Sequence, residues 1–453
     1  MKQLRYLSSH LSRIQLSAYL CIALSSLTLS SITAAAQESP QDRRFIQVQA
    51  KDKYDRTKLS NLGMSIEALT SDTVWGFATL RQLNKIRENG FNVLGNYEFE
   101  AGRGGHANLL DFPRDDARFH NYERLTQDLQ ALSKANPELV AVQSIGKSVQ
   151  GRNIWAVHIN SDTADLASGV SQKPGIIFMG NHHAREHLSL EVPFLLIRHL
   201  LDHKKDQAIS ELLNSRDIWV IPMVNPDGAE YDIEKGNYRW WRKNRRDNRD
   251  GTFGVDLNRN YSYKWGTGGS DDDTSSEVYM GPEPFSEPET QSIRDFVKSH
   301  LNTKILLSFH TFSELILYPW GHTYDPVSKK KDFDTYKKLA ETMAQWNHYT
   351  PQQSSALYIA SGDTTDWAYG EFGIFAFTFE LSPKSSFSGG FYPGAKVIDR
   401  VFQANLQPCL YLIKMAEDPY QALNASRSTG NWLESLSPPL PTLGGHFLTS
   451  LKQ

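Results

Sequence analysis

The 453-residue sequence predicts an α/β fold, a mixed, mostly parallel central sheet flanked by helices, preceded by a small ferredoxin-like α+β unit. Three observations carry this expectation. From about residue 111 onward, short apolar runs of strand length alternate with longer segments of helical period. Residues 44–95 instead hold short elements in the order β-α-β-β-α-β. A glycine-rich stretch, Gly102-Arg103-Gly104-Gly105, separates the two patterns.

The N-terminus has the plan of an export signal. Lys2, Arg5 and Arg13 are positive, residues 14–32 are mostly apolar or small, and Ala34-Ala35-Ala36 before Gln37 forms an A-x-A-like cleavage site. A membrane anchor is the alternative, but the many serines and the small-residue end favour cleavage. This divides the chain into a signal (1–36), a leading block with its linker (37–110), a main domain (111–418) and a tail (419–453). No other stretch approaches the roughly 18 continuous apolar residues of a membrane span.

In the leading block, Phe45, Val48 and Ala50 mark a strand, 52–61 a helix, 64–68 and 73–79 two strands, 80–87 a helix and 91–93 a last strand. In the main domain a helix spans 121–136, with Leu125, Leu129 and Leu132 on one face. Strands follow at 139–144, 153–160 and 175–179, and a helix begins near Leu188. A strand at 217–224 stops at the turn Asn225-Pro226-Asp227-Gly228. Then come a helix (287–300), a strand (304–310), a helix (332–348), a strand (374–381) and a largely helical stretch (395–416) that Pro408 should kink. The tail, with Pro438, Pro439 and Pro441, reads as a linker or surface wrap.

Composition narrows the chemistry. With 48 Lys+Arg against 51 Asp+Glu, a net charge of −3 gives no general pull toward nucleic acid or anionic membrane. The two cysteines, Cys21 and Cys409, exclude a disulfide-rich scaffold and any all-thiolate metal centre. A metal site must therefore use histidines and carboxylates. Gly180-Asn181-His182-His183-Ala184-Arg185-Glu186-His187 directly follows the apolar run 175–179, and ligands in open α/β sheets gather at the carboxyl ends of strands. His183 and Glu186, three apart, can converge on one zinc ion from a turn entering a helix, and His310, which also ends an apolar strand, is the best third ligand. Two alternatives stay open on this motif alone. His183-Ala184-Arg185-Glu186-His187 also fits H-x-x-E-H, in which both histidines bind zinc from one helix. The cluster could equally be solvated histidines near a helix start.

Further motifs stand in order along the chain: Tyr238-Arg239-Trp240-Trp241-Arg242-Lys243; Gly254-Val255-Asp256-Leu257-Asn258-Arg259-Asn260; Ser308-Phe309-His310; Tyr358 with Gly362-Asp363-Thr364-Thr365-Asp366-Trp367; and Phe377-Thr378-Phe379-Glu380. Together with the histidine motif they resemble the zinc metallocarboxypeptidases of the carboxypeptidase A type, most closely the bacterial carboxypeptidase T branch. The resemblance runs from about residue 111 to 416.

The resemblance implies one Zn2+ held by His183, Glu186 and His310, with Glu380 as general base and Arg242 facing the oxyanion. It implies that Asn258, Arg259 and Tyr358 grip a substrate's terminal carboxylate, with Arg185 a further carboxylate or relay contact and Arg239 a secondary one. Leu357, Ala360, Asp363, Thr365 and Thr378 would line the specificity pocket. Thr365 is neither the apolar residue of the A forms nor the aspartate of the B forms, and Asp363 adds a carboxylate, so broad cleavage after apolar, aromatic and some basic residues is expected. Asp256 could orient a ligand histidine from behind. The positive run Arg239–Arg246 beyond Arg242, and the acidic run Asp271-Asp272-Asp273, read as mainly solvated.

The expected protein is thus a secreted or periplasmic zymogen. Its leading block would cover the cleft until an activating protease cuts within 101–110. It would act as a monomer on peptides with a free C-terminal carboxylate, without nucleic acid and without stable membrane association after signal cleavage. A cell-wall peptide hydrolase on the same fold and an inactive zinc-binding homologue are the alternatives.

Overall fold

The computed structural model describes residues 43–98 and 111–424. The expected signal with Cys21, the glycine-rich linker with its expected cut, and most of the tail lie outside the described residues.

The leading block folds as β1 (Arg43–Gln49), a helix (Lys53–Asn61), β2 (Ser65–Leu69), β3 (Thr73–Thr79), a helix (Leu80–Glu88) and β4 (Val93–Glu98). The sheet order is β2-β3-β1-β4, every neighbour antiparallel, as the β-α-β-β-α-β order requires. Local chemistry starts both helices. Asp52 accepts from the backbone N–H of Tyr54 and Asp55, and Thr79 with Gln82 forms a capping box. Ile46, Val48, Leu59, Val74, Leu83 and Ile86 close the core.

The main sheet contains β5 (Val140–Lys147), β6 (Asn153–Ile159), β7 (Gly175–Gly180), β8 (Asp217–Ile221), β9 (Thr303–Thr311), β10 (Leu315–Tyr318), β11 (Thr350–Gln353) and β12 (Phe375–Leu381). Its order is β11-β10-β12-β9-β7-β8-β6-β5. The central four, β12, β9, β7 and β8, run parallel, while β6, β5 and β10 pair antiparallel to their inner neighbours. Strands buried on both faces read as unbroken apolar runs, as in Gly175-Ile176-Ile177-Phe178-Met179. Alternation splits that run between two cores. Ile176 and Phe178 meet helices Leu188–Asp202 and Ile398–Met415, and Ile177 and Met179 meet helices Pro288–Ser299 and Thr364–Phe372.

Several expectations are corrected. Asn225-Pro226-Asp227-Gly228 is the start of a helix, Pro226–Asp232, because the Asn225 side chain caps the Gly228 N–H and Pro226 suits the first helical position. The preceding strand ends at Ile221. The largely helical stretch expected at 395–416 is found as helix Ile398–Met415, with Pro408 inside it. β10 and β11 were not legible, being four residues each, and Thr350-Pro351-Gln352-Gln353 carries no apolar pattern.

One half-buried pairing ties the first helix of the main domain, Tyr122–Ala135, to helix Leu188–Asp202. The His120 ring lies 2.9 Å from a Glu191 oxygen and 3.1 Å from Asp128. Burial opposes the imidazolium, but Glu191 and Asp128 prevail and raise its pKa to about 9. A histidine raised on folding contributes stability fully present below its unfolded pKa of about 6.5 and lost as pH rises toward 9. His120→Gln should therefore lower the melting temperature clearly at pH 6 and little at pH 9.5; an equal loss at both would refute the charged pairing.

Candidate metal and substrate site

β7 delivers the histidine motif through a tight turn that its glycine and asparagine suit. A Cβ on Gly180 would lie 2.1 Å from the Ser189 carbonyl oxygen, so the backbone passes closely there. Asn181 then takes φ +56°, and its side-chain amide donates to the His183 carbonyl at 3.1 Å. The helix begins only at Leu188, and His187 turns away to Asp232 at 2.8 Å. This geometry removes the H-x-x-E-H alternative, which needs His183 and His187 on one continuous helix.

His310 arrives from β9, the strand paired with β7. His183 Nδ1 lies 2.8 Å from Glu186 Oε1, His310 Nδ1 lies 3.0 Å from Glu186 Oε2, and the two Nδ1 atoms are 3.1 Å apart. His183, Glu186 and His310 are the one His/Cys/Asp/Glu group of metal-binding geometry among the described residues. The donors suit zinc. The far Nε2 of His183 meets Asp256 Oδ1 at 3.2 Å, and a ring proton held there would leave the Nδ1 lone pair facing the cluster. Two nitrogens bound to one tetrahedral zinc at about 2.0–2.1 Å would stand about 3.3 Å apart. Burial opposes the Glu186 charge, but the two imidazoles hold its carboxyl well below the usual range. The orienting role that Asp256 could only be suspected of from sequence thus has its geometry here.

Register places the next groups. Glu380 on β12 pairs directly with His310 on β9. Burial, and then the Glu186 carboxylate, push its carboxyl up to about 8. Arg242 is buried, and both its Nε (3.0 Å) and a terminal nitrogen (2.9 Å) bind Asp256 Oδ2. One Asp256 carboxylate therefore orients His183 with one oxygen and Arg242 with the other. Asn258 Oδ1 accepts from the Thr364 N–H and hydroxyl, at 3.0 and 2.9 Å, so its NH2 is left for the cavity. Arg259 is fixed through Nε to the Gly269 carbonyl at 2.8 Å. Asn258, Arg259, Tyr358, Arg242 and Glu380 line one cavity with His183 and Glu186.

The profile of the family described as zinc carboxypeptidase matches residues 125–408. A zinc carboxypeptidase of Saccharothrix mutabilis subsp. capreolus is 34% identical over 85% of this chain and 92% of its own. Carboxypeptidase B of Astacus astacus is 33% identical over 59% of this chain and 87% of its own. Among solved structures, carboxypeptidase A from Helicoverpa armigera aligns over 86% of this chain and all of its own, with a TM-score of 0.67 and 25% identity. The chain belongs to the zinc carboxypeptidase family.

This family is one of metallocarboxypeptidases, which are hydrolases. The expected pocket residues Leu357, Ala360, Asp363, Thr365 and Thr378 line the same cavity. Leu315, Leu317, Gly321 and Ser354 join them. These four were missed because they come from β10 and from loops without a chemical signature. Asp363 caps helix Thr364–Phe372 through Oδ1, while its buried Oδ2 has no hydrogen-bond partner. Burial, and then Asp366, raise its carboxyl to about 7.

Three expectations change. Arg185 does not line the cavity: it is fully buried, binds Glu67 of β2 at 2.6 Å and Glu277 at 3.0 Å, and lies over the Phe391 ring at 4.4 Å. The run after Arg239 is not a solvated face. Arg239 pairs with Glu234, Lys243 is buried, Arg245 lies 3.6 Å over the Tyr231 ring and Arg246 binds Glu287 at 2.7 Å. The acidic run is a docking loop, with Asp271 accepting from Gln82 and Asp273 pairing with Arg81, both at 3.0 Å. Charge runs read as solvated when their partners are remote in sequence.

Proposed function

We propose that the protein is the precursor of an exported zinc carboxypeptidase that removes single C-terminal residues of apolar, aromatic and some basic type. The observation that carries this reading is the convergence, on one cavity, of His183 and Glu186 with Glu380 and Arg242 and with Asn258, Arg259 and Tyr358. His183, Glu186 and His310 would hold the zinc, which when bound polarises the scissile carbonyl and acidifies a water.

The protein's own groups do the rest. Glu380 takes the water's proton and passes it to the leaving amine. Arg242, held by Asp256, presents its remaining N–H to the oxygen where negative charge develops. The Arg259 guanidinium and Asn258 amide bind the terminal carboxylate, which confines cleavage to the chain end. Asp363 Oδ2 gives a basic side chain an acidic partner beside the uncharged Leu357, Ala360, Thr365 and Thr378.

Residues 37–110 would keep this site closed. Ile66, Glu67, Ala68 and Leu69 of β2 form one wall of the cavity, and Glu67 occupies Arg185. Arg56 adds a bond to the Leu357 carbonyl, next to Tyr358. An activating cut within 101–110 would free the block. Export through the N-terminal signal completes the reading, and no helix among the described residues is long and apolar enough to cross a membrane.

The test uses the full chain, cut at the linker, on peptides ending in Phe or Arg, each with a free or amidated terminus and with or without chelator. Free peptides should be cleaved, amidated ones spared, and chelator should stop both reactions. Equal cleavage of free and amidated peptides would sink the exopeptidase reading. A Phe/Arg difference above about a thousandfold, some 4 kcal/mol in transition-state binding, would sink the broad specificity.

A further inference from the structure

Beneath the loop that carries Arg242 lies a buried cluster that the reaction does not use. Asn244, Glu287 and Glu289 are all fully buried. The Asn244 amide nitrogen donates to Glu287 at 2.7 Å and to Glu289 at 3.1 Å. Glu287 also receives Arg246 and the Ser286 hydroxyl, each at 2.7 Å, and Glu289 receives the Val149 N–H at 3.0 Å.

The other end of Asn244 reaches the catalytic loop. Its Oδ1 accepts from the Val255 N–H at 2.8 Å, and its backbone N–H donates to the Val255 carbonyl at 3.0 Å. Both sides of Val255 are thereby held, and the next residue is Asp256, the carboxylate that orients Arg242. Asn244 thus pins the segment of Arg242 to the segment of Asp256, beside the bond from the Gly254 N–H to the Arg246 carbonyl at 2.7 Å, and two carboxylates hold its amide.

The charges around the pair favour one negative charge over two. Arg246 is the cation bonded to it, through Glu287. Other cations on the surrounding elements are engaged elsewhere: Arg152 with Asp227 at 2.7 Å, Arg245 over the Tyr231 ring and Lys243 on the Thr274 carbonyl. Two ionised carboxylates here would leave a second buried charge uncompensated, which is strongly unfavourable.

We propose that the Glu287–Asn244–Glu289 clamp holds one proton and positions Arg242, so that losing this proton at alkaline pH slackens the Arg242 loop and lowers turnover. This rests on the peptidase reading above. Burial, helped by Glu287, raises the Glu289 carboxyl to about 8 despite the bond from Val149, in keeping with that proton's place. Glu289 is a positioning residue: it touches neither the cavity nor the metal ligands.

The test is the pH dependence of kcat and KM on the full chain cut at its linker, together with melting temperature against pH. Wild type should lose about tenfold in kcat above pH 8, equivalent to about 1.4 kcal/mol, with KM nearly constant. Glu289→Gln should abolish that alkaline step. Arg246→Gln, at a half-exposed position that tolerates change, should move the step to higher pH, since removing the cation tightens the proton. An alkaline step unchanged in both variants overturns the proposal, as does a variant that only lowers stability. The melting readout needs no peptide cleavage. A carboxyl raised on folding makes stability fall as pH rises from about 4.5 toward 8, so wild type should lose stability there more steeply than Glu289→Gln. Equal slopes overturn the clamp even if no peptide is hydrolysed.

Discussion

Glu380→Gln should retain the fold and its zinc yet lose turnover by about 10²–10⁴-fold, the range expected for removal of a general base. The substitution keeps size and planarity, and β12 is otherwise sealed by buried Phe377, Phe379 and Leu381. The cost to folding should be small. The neutral amide should thus melt close to the parent at pH 7. Zinc content by metal analysis, melting temperature and kcat form the check. Full activity with zinc retained would refute the role of Glu380; loss of zinc would mean that the residue supports the ligands instead.

Arg242→Ala should lower kcat by about 10²–10³-fold, or about 2.7–4 kcal/mol, because the guanidinium acts where charge develops in the transition state. KM for a free-terminus peptide should change little, since Asn258 and Arg259 hold the carboxylate. A second effect is also expected. Removing Arg242 leaves Asp256 fully buried with Oδ2 stripped of both its bonds, and breaking a buried ion pair costs about 3–5 kcal/mol. The variant should therefore melt lower as well as turn over more slowly. Arg242→Lys separates the two. A lysine restores charge near Asp256 but not the fork that binds the aspartate and still presents an N–H to the cavity. Stability should recover more than kcat. A rise in KM alone, with kcat intact, would make Arg242 a ground-state binding residue.

Local signals made the core of the site readable. His183 and Glu186 are three residues apart, and the apolar runs before Gly180 and His310 mark both segments as ends of buried strands. The alternation of strands and helices is equally local, because burial on both faces writes an apolar run into the chain. The short elements β10 and β11 escaped since their residues are chosen by neighbours rather than by period. The same limit applied to charges. Arg185 carries the chemistry of a substrate contact in its motif, yet Glu67, 118 residues away, takes it. Asp271 and Gln82 are 189 residues apart, and nothing near either foretells the other.

By itself the sequence determined the fold class, the order of the longer elements, a thiol-free donor set and the candidate residues for a carbonyl and a carboxylate. These follow from hydrophobic period and from functional groups, both properties of a few neighbouring residues. Only the tertiary structure decided which charges meet. Folding brought Asp256 between His183 and Arg242, aligned Glu380 with His310, buried the run around Asn244 on Glu287 and Glu289, and laid β2 over Arg185. A charged side chain's behaviour is set by what desolvates it and what neutralises it. For most of these groups the partner lies on another strand or in another domain, so the answer exists only once the chain is folded.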